Sequence, residues 1–418
     1  MEQAILASVR LKDSAYRDSW PIAEAAAELK ELALSSGLQV AEEVSLQRDR
    51  PSSSYFIGKG TAQALAERCS NLNAQVVVFG EDLDSAQQRN LEDLIGVKVI
   101  DRTQLILDIF AQRAHSQEGK VQVELAQLQY LLPRLVGKGI LLSQLGGGIG
   151  TRGPGEKKLE VDRRRIRLRI RRLKQDLEEI HRRRGIARRK REEEAIPSVA
   201  LIGYTNVGKT TLLNALTGAG AVAEDRVFTT LDPLARRLVL PGGQPILVTD
   251  TVGFLHRLPH HLIEAFRATL EETTQSHLLL HLLDVSHPML EEQASAVHEV
   301  LQALGAEGKS MITVLNKVDR VDPAFVQSLK RRLPEAVCIS ALRREGLAYL
   351  LERVSAALGP LMREALIWIP EHQHRWEERI YQQGQVFHRR ILENGLELQA
   401  RVPHKLYGQL AKAGLVKS

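Results

Sequence analysis

The chain is poor in cysteine. Only Cys69 and Cys338 occur among 418 residues, and they lie far apart. Such a pair builds neither a disulfide scaffold nor a zinc site, and it suits a reducing cytoplasm. Aromatic residues make up 4%, which argues against base stacking as the main recognition device. Long apolar runs are also missing. A membrane helix needs about 18 or more consecutive apolar residues, whereas the richest stretch, Leu278 to Val285, is short and interrupted by His281. Met1 to Arg10 lacks the charged start, apolar run and cleavage site of a signal peptide. No membrane span and no secretory leader are therefore expected. The histidines form no zinc pattern. His256, His260, His261, His277 and His281 fit core or surface roles better than metal ligation.

The remaining composition, 44% hydrophobic, is that of a globular protein, and the length calls for two or three domains. The net charge of +6 hides an asymmetry. Arg163 to Arg191 holds 15 Lys/Arg against three acids, a local +12, which leaves the rest of the chain at −6. Basicity confined to one element points to a polyanionic partner. The competing reading is a solvated coiled-coil surface. Acidic lipid is disfavoured because the same helix has only a narrow apolar seam.

Four pieces are expected. Residues 1–113 alternate strand-like runs (Gln75 to Phe79, Val97 to Ile100) with helical ones (Ala23 to Leu34, Ala62 to Cys69), which predicts a small α/β domain with a parallel sheet. Residues 114–196 carry two coiled-coil seams. One is Val121, Leu125, Leu128, Leu132 and Leu135; the other is Leu159, Ile166, Ile170, Leu173, Leu177 and Ile180. Eight glycines between Gly137 and Gly155 join them, so an antiparallel helical hairpin is expected. Residues 197–361 alternate apolar strands with helices and predict an α/β doubly wound sheet with ligand loops at the strand C-termini. Residues 362–418 read as a small α+β tail.

The chemistry is concentrated in the third piece. Gly203, Tyr204, Thr205, Asn206, Val207, Gly208, Lys209 and Thr210 match the phosphate loop G-x-x-x-x-G-K-[ST], after a strand and before a helix that starts at Thr211. Glycines let backbone N–H groups turn toward phosphate oxygens, and the helix N-terminus adds partial positive charge. Lys209 suits the β- and γ-phosphates, and the Thr210 hydroxyl is a hard oxygen ligand for Mg²⁺. Asp250, Thr251, Val252 and Gly253 follow another strand. Asp250 is a second candidate for Mg²⁺, and the Gly253 N–H can sense the γ-phosphate. Within the run from Phe228 to Pro233, Thr230 is placed to reach both, with Thr229 as competitor. A loop held by γ-phosphate and released on hydrolysis is a switch. Lys209, Thr230 and Gly253 are the catalytic candidates.

Base choice comes from Asn316, Lys317, Val318 and Asp319. A carboxylate there accepts two hydrogen bonds from guanine, and adenine offers no such donor pair. Ser340, Ala341 and Leu342 follow the next strand and can present a backbone N–H to the guanine oxygen. The expected ligands are GTP and GDP. Phe254 stands where many small GTPases have a water-orienting glutamine, so slow intrinsic hydrolysis is expected. Asn206 resembles the asparagine of potassium-activated GTPases, which raises K⁺ stimulation as a hypothesis.

The sequence resembles the HflX GTPases. The resemblance rests on Ser54 to Gly60 (SYFIGKG), Arg102 to Arg113 (RTQLILDIFAQR), Gly119 to Gln129 (GKVQVELAQLQ), Gly147 to Glu156 (GGIGTRGPGE), Gly203 to Asn206 and Thr230 to Pro233. It implies an N-terminal domain with an α/β part and a helical hairpin ahead of the GTPase domain. It also implies binding to the large ribosomal subunit and its RNA, with splitting of stalled ribosomes. ATP binding and RNA unwinding through the N-terminal region are associated with some members. The loop Gln144 to Gly148 departs from the pattern by lacking basic residues before its glycines. A cytoplasmic, ribosome-associated monomer is expected. A signalling switch with a protein partner and an RNA-remodelling NTPase that also uses ATP stay open as alternatives.

Overall fold

A computed structural model describes residues 2–13, 20–135, 154–193, 196–218, 234–257, 262 and 267–417. The chain forms two compact units, one mainly of residues 1–180 and the other mainly of residues 181–418.

The first unit contains β1 (Gln3–Leu11), α1 (Ile22–Ser35), β2 (Gln39–Arg48), α2 (Lys59–Leu72), β3 (Val76–Phe79), α3 (Ser85–Ile95), β4 (Lys98–Ile100), α4 (Arg102–Arg113), α5 (Gln117–Arg134) and the start of α6 (Pro154–Glu193). The strands lie in the order β2-β1-β3-β4, and every pair is parallel. Strands β3 and β4 are the two runs expected from the sequence. Strand β2 is at the sheet edge, and no residue of it is fully buried, so it gave no apolar signal. Ile5, Val77, Phe79, Leu91 and Val99 share one core. Asp84 caps α3 through its side chain, and Gln87 returns a bond to the Asp84 backbone, a capping box that fixes the helix start.

Helices α5 and α6 meet through Val121, Leu125 and Leu173, flanked by Leu128, Ile170 and Leu177. All six are positions of the two expected seams. Arg169 forks onto the Glu124 carboxylate with two bonds of 2.7 Å. The glycine-rich residues 136–153 between the helices, including Gln144 to Gly148, lie outside the described residues.

The second unit continues with β5 (Ser198–Gly203), α7 (Lys209–Thr217), β6 (Leu234–Val239), β7 (Pro245–Asp250), α8 (Arg267–Gln275), β8 (Leu278–Asp284), α9 (Leu290–Ala303), β9 (Met311–Asn316), α10 (Pro323–Arg332), β10 (Val337–Cys338) and α11 (Leu347–Leu358). The order is β10-β9-β8-β5-β7-β6. All pairs are parallel except β6–β7, which is antiparallel. The sheet is thus mixed, with one antiparallel edge strand added to the expected parallel core. Every residue of β8 is buried, as an interior parallel strand requires.

After this sheet come β11 (Met362–Pro370), α12 (Arg375–Gln383), β12 (Gln385–Leu392), β13 (Gly395–Pro403), α13 (His404–Lys412) and β14 (Val416–Lys417). They form an antiparallel sheet in the order β12-β13-β11-β14. Its core joins Ile367, Leu398 and Val402 of the sheet to Trp376, Ile380 and Leu410 of the helices. Arg237 of β6 donates to the Gln382 carbonyl of α12 at 3.0 Å.

Candidate nucleotide site

The C-terminal ends of β5, β7, β8 and β9 converge on one loop. At its start Gly203 has φ 150°, and a Cβ there would stand 2.5 Å from the Leu282 carbonyl of β8. At its end Gly208 has φ 94°, and a Cβ would stand 2.5 Å from Asn316 Nδ2. Both positions therefore require glycine. Asn206 lies between them at φ 60°, a conformation asparagine tolerates. The loop feeds straight into α7, whose first residues are Lys209, Thr210 and Thr211.

Lys209 is buried, and its Nζ donates to the carbonyls of Gly203 at 3.1 Å and Tyr204 at 2.7 Å. Burial pushes its pKa down to about 8, against the opposing pull of the Asp250 carboxylate. The Thr210 hydroxyl donates to Asp250 Oδ2 at 2.7 Å, so the two hard oxygen groups sit together. Thr251 donates to the Leu201 carbonyl at 2.6 Å and Val252 is buried. Both thus anchor the segment. A Cβ on Gly253 would lie 2.8 Å from Thr205 Cγ2 and 3.1 Å from Lys209 Nζ, so this backbone passes directly against the phosphate loop. The following residues are laced to it as well. Thr205 N–H donates to the Phe254 carbonyl at 2.8 Å, and Phe254 N–H donates to the Gly203 carbonyl at 3.1 Å. His256 N–H donates to the Tyr204 hydroxyl at 2.6 Å.

On the other side, Asn316 Nδ2 donates to the Val207 carbonyl at 2.7 Å, and its Oδ1 accepts from Ala341 N–H at 3.0 Å. One buried amide so ties the phosphate loop to the segment Ser340 to Leu342. Lys317 sits at φ 64°, and its Nζ pairs with Asp284 Oδ2 at 2.7 Å. Val318 N–H donates to the Ile339 carbonyl at 3.3 Å. A hydrogen bond from the Ser340 hydroxyl holds the Asp319 carboxyl below the usual range, with help from the nearby Arg343 guanidinium at 3.8 Å. Ala341 is buried, whereas Leu342 is exposed.

The sequence motifs thus converge, apart from Phe228, Thr229 and Thr230, which lie outside the described residues. Two residues were missed, Asp284, which holds Lys317, and Arg343 beside Asp319; Tyr204 was already a candidate, but the bond its hydroxyl accepts from His256 N–H was not foreseen. Asp284 carried a usable signal, since it ends an apolar strand where ligand loops gather. Arg343 and the Tyr204 hydroxyl act through contacts with no sequence pattern.

This arrangement defines a P-loop GTPase. Residues 198–317 match the family model described as 50S ribosome-binding GTPase, residues 23–111 match GTP-binding GTPase N-terminal, and residues 113–191 match GTP-binding GTPase Middle Region. The GTPase HflX of Caldanaerobacter subterraneus subsp. tengcongensis is 47% identical over 375 residues, covering 90% of this chain and 86% of that protein. The GTPase HflX of Escherichia coli is 40% identical over 389 residues, covering 92% and 91%. The chain belongs to the HflX family of GTPases and is a GTP hydrolase. Among solved structures, a GTP-binding protein from Sulfolobus solfataricus in complex with GDP is similar, with 25% identity and a TM-score of 0.46, covering 86% of this chain and 100% of that chain. No helix among the described residues is long and apolar enough to cross a membrane.

Proposed function

We propose that this GTPase associates with the large ribosomal subunit and its RNA in the cytoplasm and acts in ribosome splitting, rescue or maturation. The observation that carries the reading is the match of the nucleotide-binding sheet to a 50S ribosome-binding GTPase. The Arg-rich helix adds to it. Arg164, Arg165, Arg167, Arg171, Arg172 and Lys174 of α6 are all exposed. Arginines of this kind give RNA affinity that falls with salt. Co-sedimentation with isolated large subunits across a salt series tests it, with a non-hydrolysable GTP analogue, GDP or no nucleotide. Binding that requires the analogue and weakens with salt is expected. No binding in any state would overturn the reading and favour a protein-partnered switch.

Within the site, Gly203 to Thr211 cradle the phosphates and Lys209 neutralises the β- and γ-oxygens. Gly253 N–H and Thr230 read the γ-phosphate. Asn316 to Asp319 and Ser340 to Leu342 hold guanine, while Phe228 and Thr229 border the nucleotide. The adjoining Thr210 hydroxyl and Asp250 carboxylate are hard oxygen donors that fit Mg²⁺, and Thr230 completes the proposed set. The ion neutralises phosphate charge when bound. K⁺ activation through Asn206 belongs to the same proposal; equal hydrolysis rates in KCl and NaCl would remove it. The guanine assignment is tested by Asp319→Asn, which should weaken GTP about 100-fold or more because one buried acceptor is replaced by a donor. The domain limits proposed are 113, 196 and 361.

A further inference from the structure

The elements after Leu361 follow one another as β11, α12, β12, β13, α13 and β14. With the sheet order β12-β13-β11-β14, they form a split βαβ arrangement whose helices cover one face only. Ile367 and Ile369 of β11 and Leu398 and Ala400 of β13 share a core with Trp376, Ile380 and Leu410 of those helices. Strand alternation sends their neighbours to the opposite face. There Leu366 and Trp368 of β11 pair with Gln399 and Glu397 of β13, which pair in turn with His388 and Arg390 of β12. Leu366, His388, Arg390 and Gln399 are exposed, and Trp368 is partly so. A bulge interrupts β12 between Val386 and His388 and takes Phe387 out of the ladder, which re-aims its side chain. The Phe387 ring is 40% exposed, with the Arg401 guanidinium 5.7 Å from its centroid. Two acids on this face are answered, Glu364 by Arg401 and Glu397 by Lys417. Arg390 has no ion-pair partner among the described residues, so the face is left with net positive charge beside two aromatic rings.

We propose that this open face binds a short stretch of single-stranded RNA, with bases stacked on Phe387 and Trp368 and a phosphate on Arg390. Aromatic rings on the open face of a four-stranded sheet stack unpaired bases in this manner. The fold alone does not assign the role; the exposed ring at the bulge and the unanswered guanidinium carry it. The two rings lie on strands that flank β13, which leaves Gln399 and His388 between them. Both side chains can donate and accept, and so can meet the edges of the stacked bases. Phosphate supplies the negative charge that Arg390 lacks within the protein. Duplex RNA does not fit, because its bases are already stacked on one another and offer no free face. This surface shares no residue with α6, and the inference does not rest on binding to large subunits.

The test uses the full chain loaded with GDP and a single-stranded RNA of about eight nucleotides, enough for the few bases such a face holds, carrying 5-bromouridine. Irradiation and mass spectrometry map the crosslinks, so contacts on this sheet are counted apart from any on α6. Crosslinks are expected within residues 362–370 and 385–403, and annealing the RNA to its complement should abolish them. Phe387→Ala should lower their yield about tenfold through the lost stacking, whereas Phe387→Tyr, which keeps a ring, should retain it. Arg390→Glu should also lower the yield and flatten its fall with salt. None of these positions touches the nucleotide site, so GDP affinity reports that each variant is folded. No crosslink on this sheet, an equal yield with the duplex, or a yield that Phe387→Ala leaves unchanged would overturn the proposal. Self-association that Phe387→Ala abolishes and excess RNA does not displace would also overturn it and assign the face to a second copy of the chain.

Discussion

Asn316 Nδ2 donates to the Val207 carbonyl at 2.7 Å, so the base-side strand β9 holds the phosphate loop directly. The same amide accepts from Ala341 N–H. Truncating it leaves a buried carbonyl and a buried N–H without partners. Asn316→Ala is expected to cost about 2–4 kcal/mol of stability and about 100-fold in GDP affinity. Thermal unfolding and GDP titration check both. An affinity within about threefold of the unaltered chain would show that the amide does not organise the site.

Lys209 should take up a proton when nucleotide binds. With its pKa lowered to about 8 by burial, roughly three quarters of the side chain is neutral at pH 8.5 in the free protein. Phosphate oxygens favour the ammonium and raise the pKa again. Titration calorimetry at pH 8.5, in buffers of different ionisation enthalpy, should report an uptake of roughly 0.7 proton. Uptake should shrink as the pH drops below 7, where the lysine is already charged. Equal uptake at pH 6.5 and 8.5 would assign the proton elsewhere.

Phe254 is 1% exposed, so it serves the core where a glutamine would face the attacking water. Phe254→Gln should therefore fail to accelerate intrinsic hydrolysis and should destabilise the protein by about 2–4 kcal/mol, since an apolar ring gives way to an unpaired amide. Single-turnover GTP hydrolysis and urea unfolding measure the two effects. A faster rate with unchanged stability would mean that the position faces the nucleotide.

His281 should make stability acid-sensitive. Its folded pKa of about 3 lies below the ordinary imidazole value of 6.5, so between these values the unfolded chain holds a proton that the folded chain does not. Stability is thus complete above about pH 6.5 and is lost as pH falls toward 3. Between pH 7 and 5 this group should remove about 2 kcal/mol. Urea unfolding of the unaltered chain and of His281→Leu gives the difference directly. Parallel pH profiles would contradict the assignment.

Much of the site was legible in the sequence because its chemistry depends on residue type. Gly203 and Gly208 must be glycine where a Cβ would strike Leu282 and Asn316, and their spacing shows without coordinates. The seams of α5 and α6 were legible for a similar reason, since a heptad repeat states its own partner face. Strand β6 was not. Its sequence, LARRLV, has no fully buried residue, and it belongs to the sheet through antiparallel backbone pairing with β7. The double role of Asn316 was equally hidden. The motif marks the residue, but its partners Val207 and Ala341 are brought near only by the fold. Phe254 could be read as a missing glutamine, yet its place in the core appears only with the backbone bonds that run from it to Gly203 and Thr205.

The most direct test of the central claim is the GTP hydrolysis rate of the full chain with and without isolated large ribosomal subunits, with Lys209→Ala as the control. A slow rate alone is expected, with an acceleration of at least tenfold by large subunits, where full completion of a GTPase site by a partner reaches about 10³–10⁵-fold, and no turnover from the Lys209→Ala chain. A rate that large subunits leave unchanged, at low and at physiological salt, would contradict that claim.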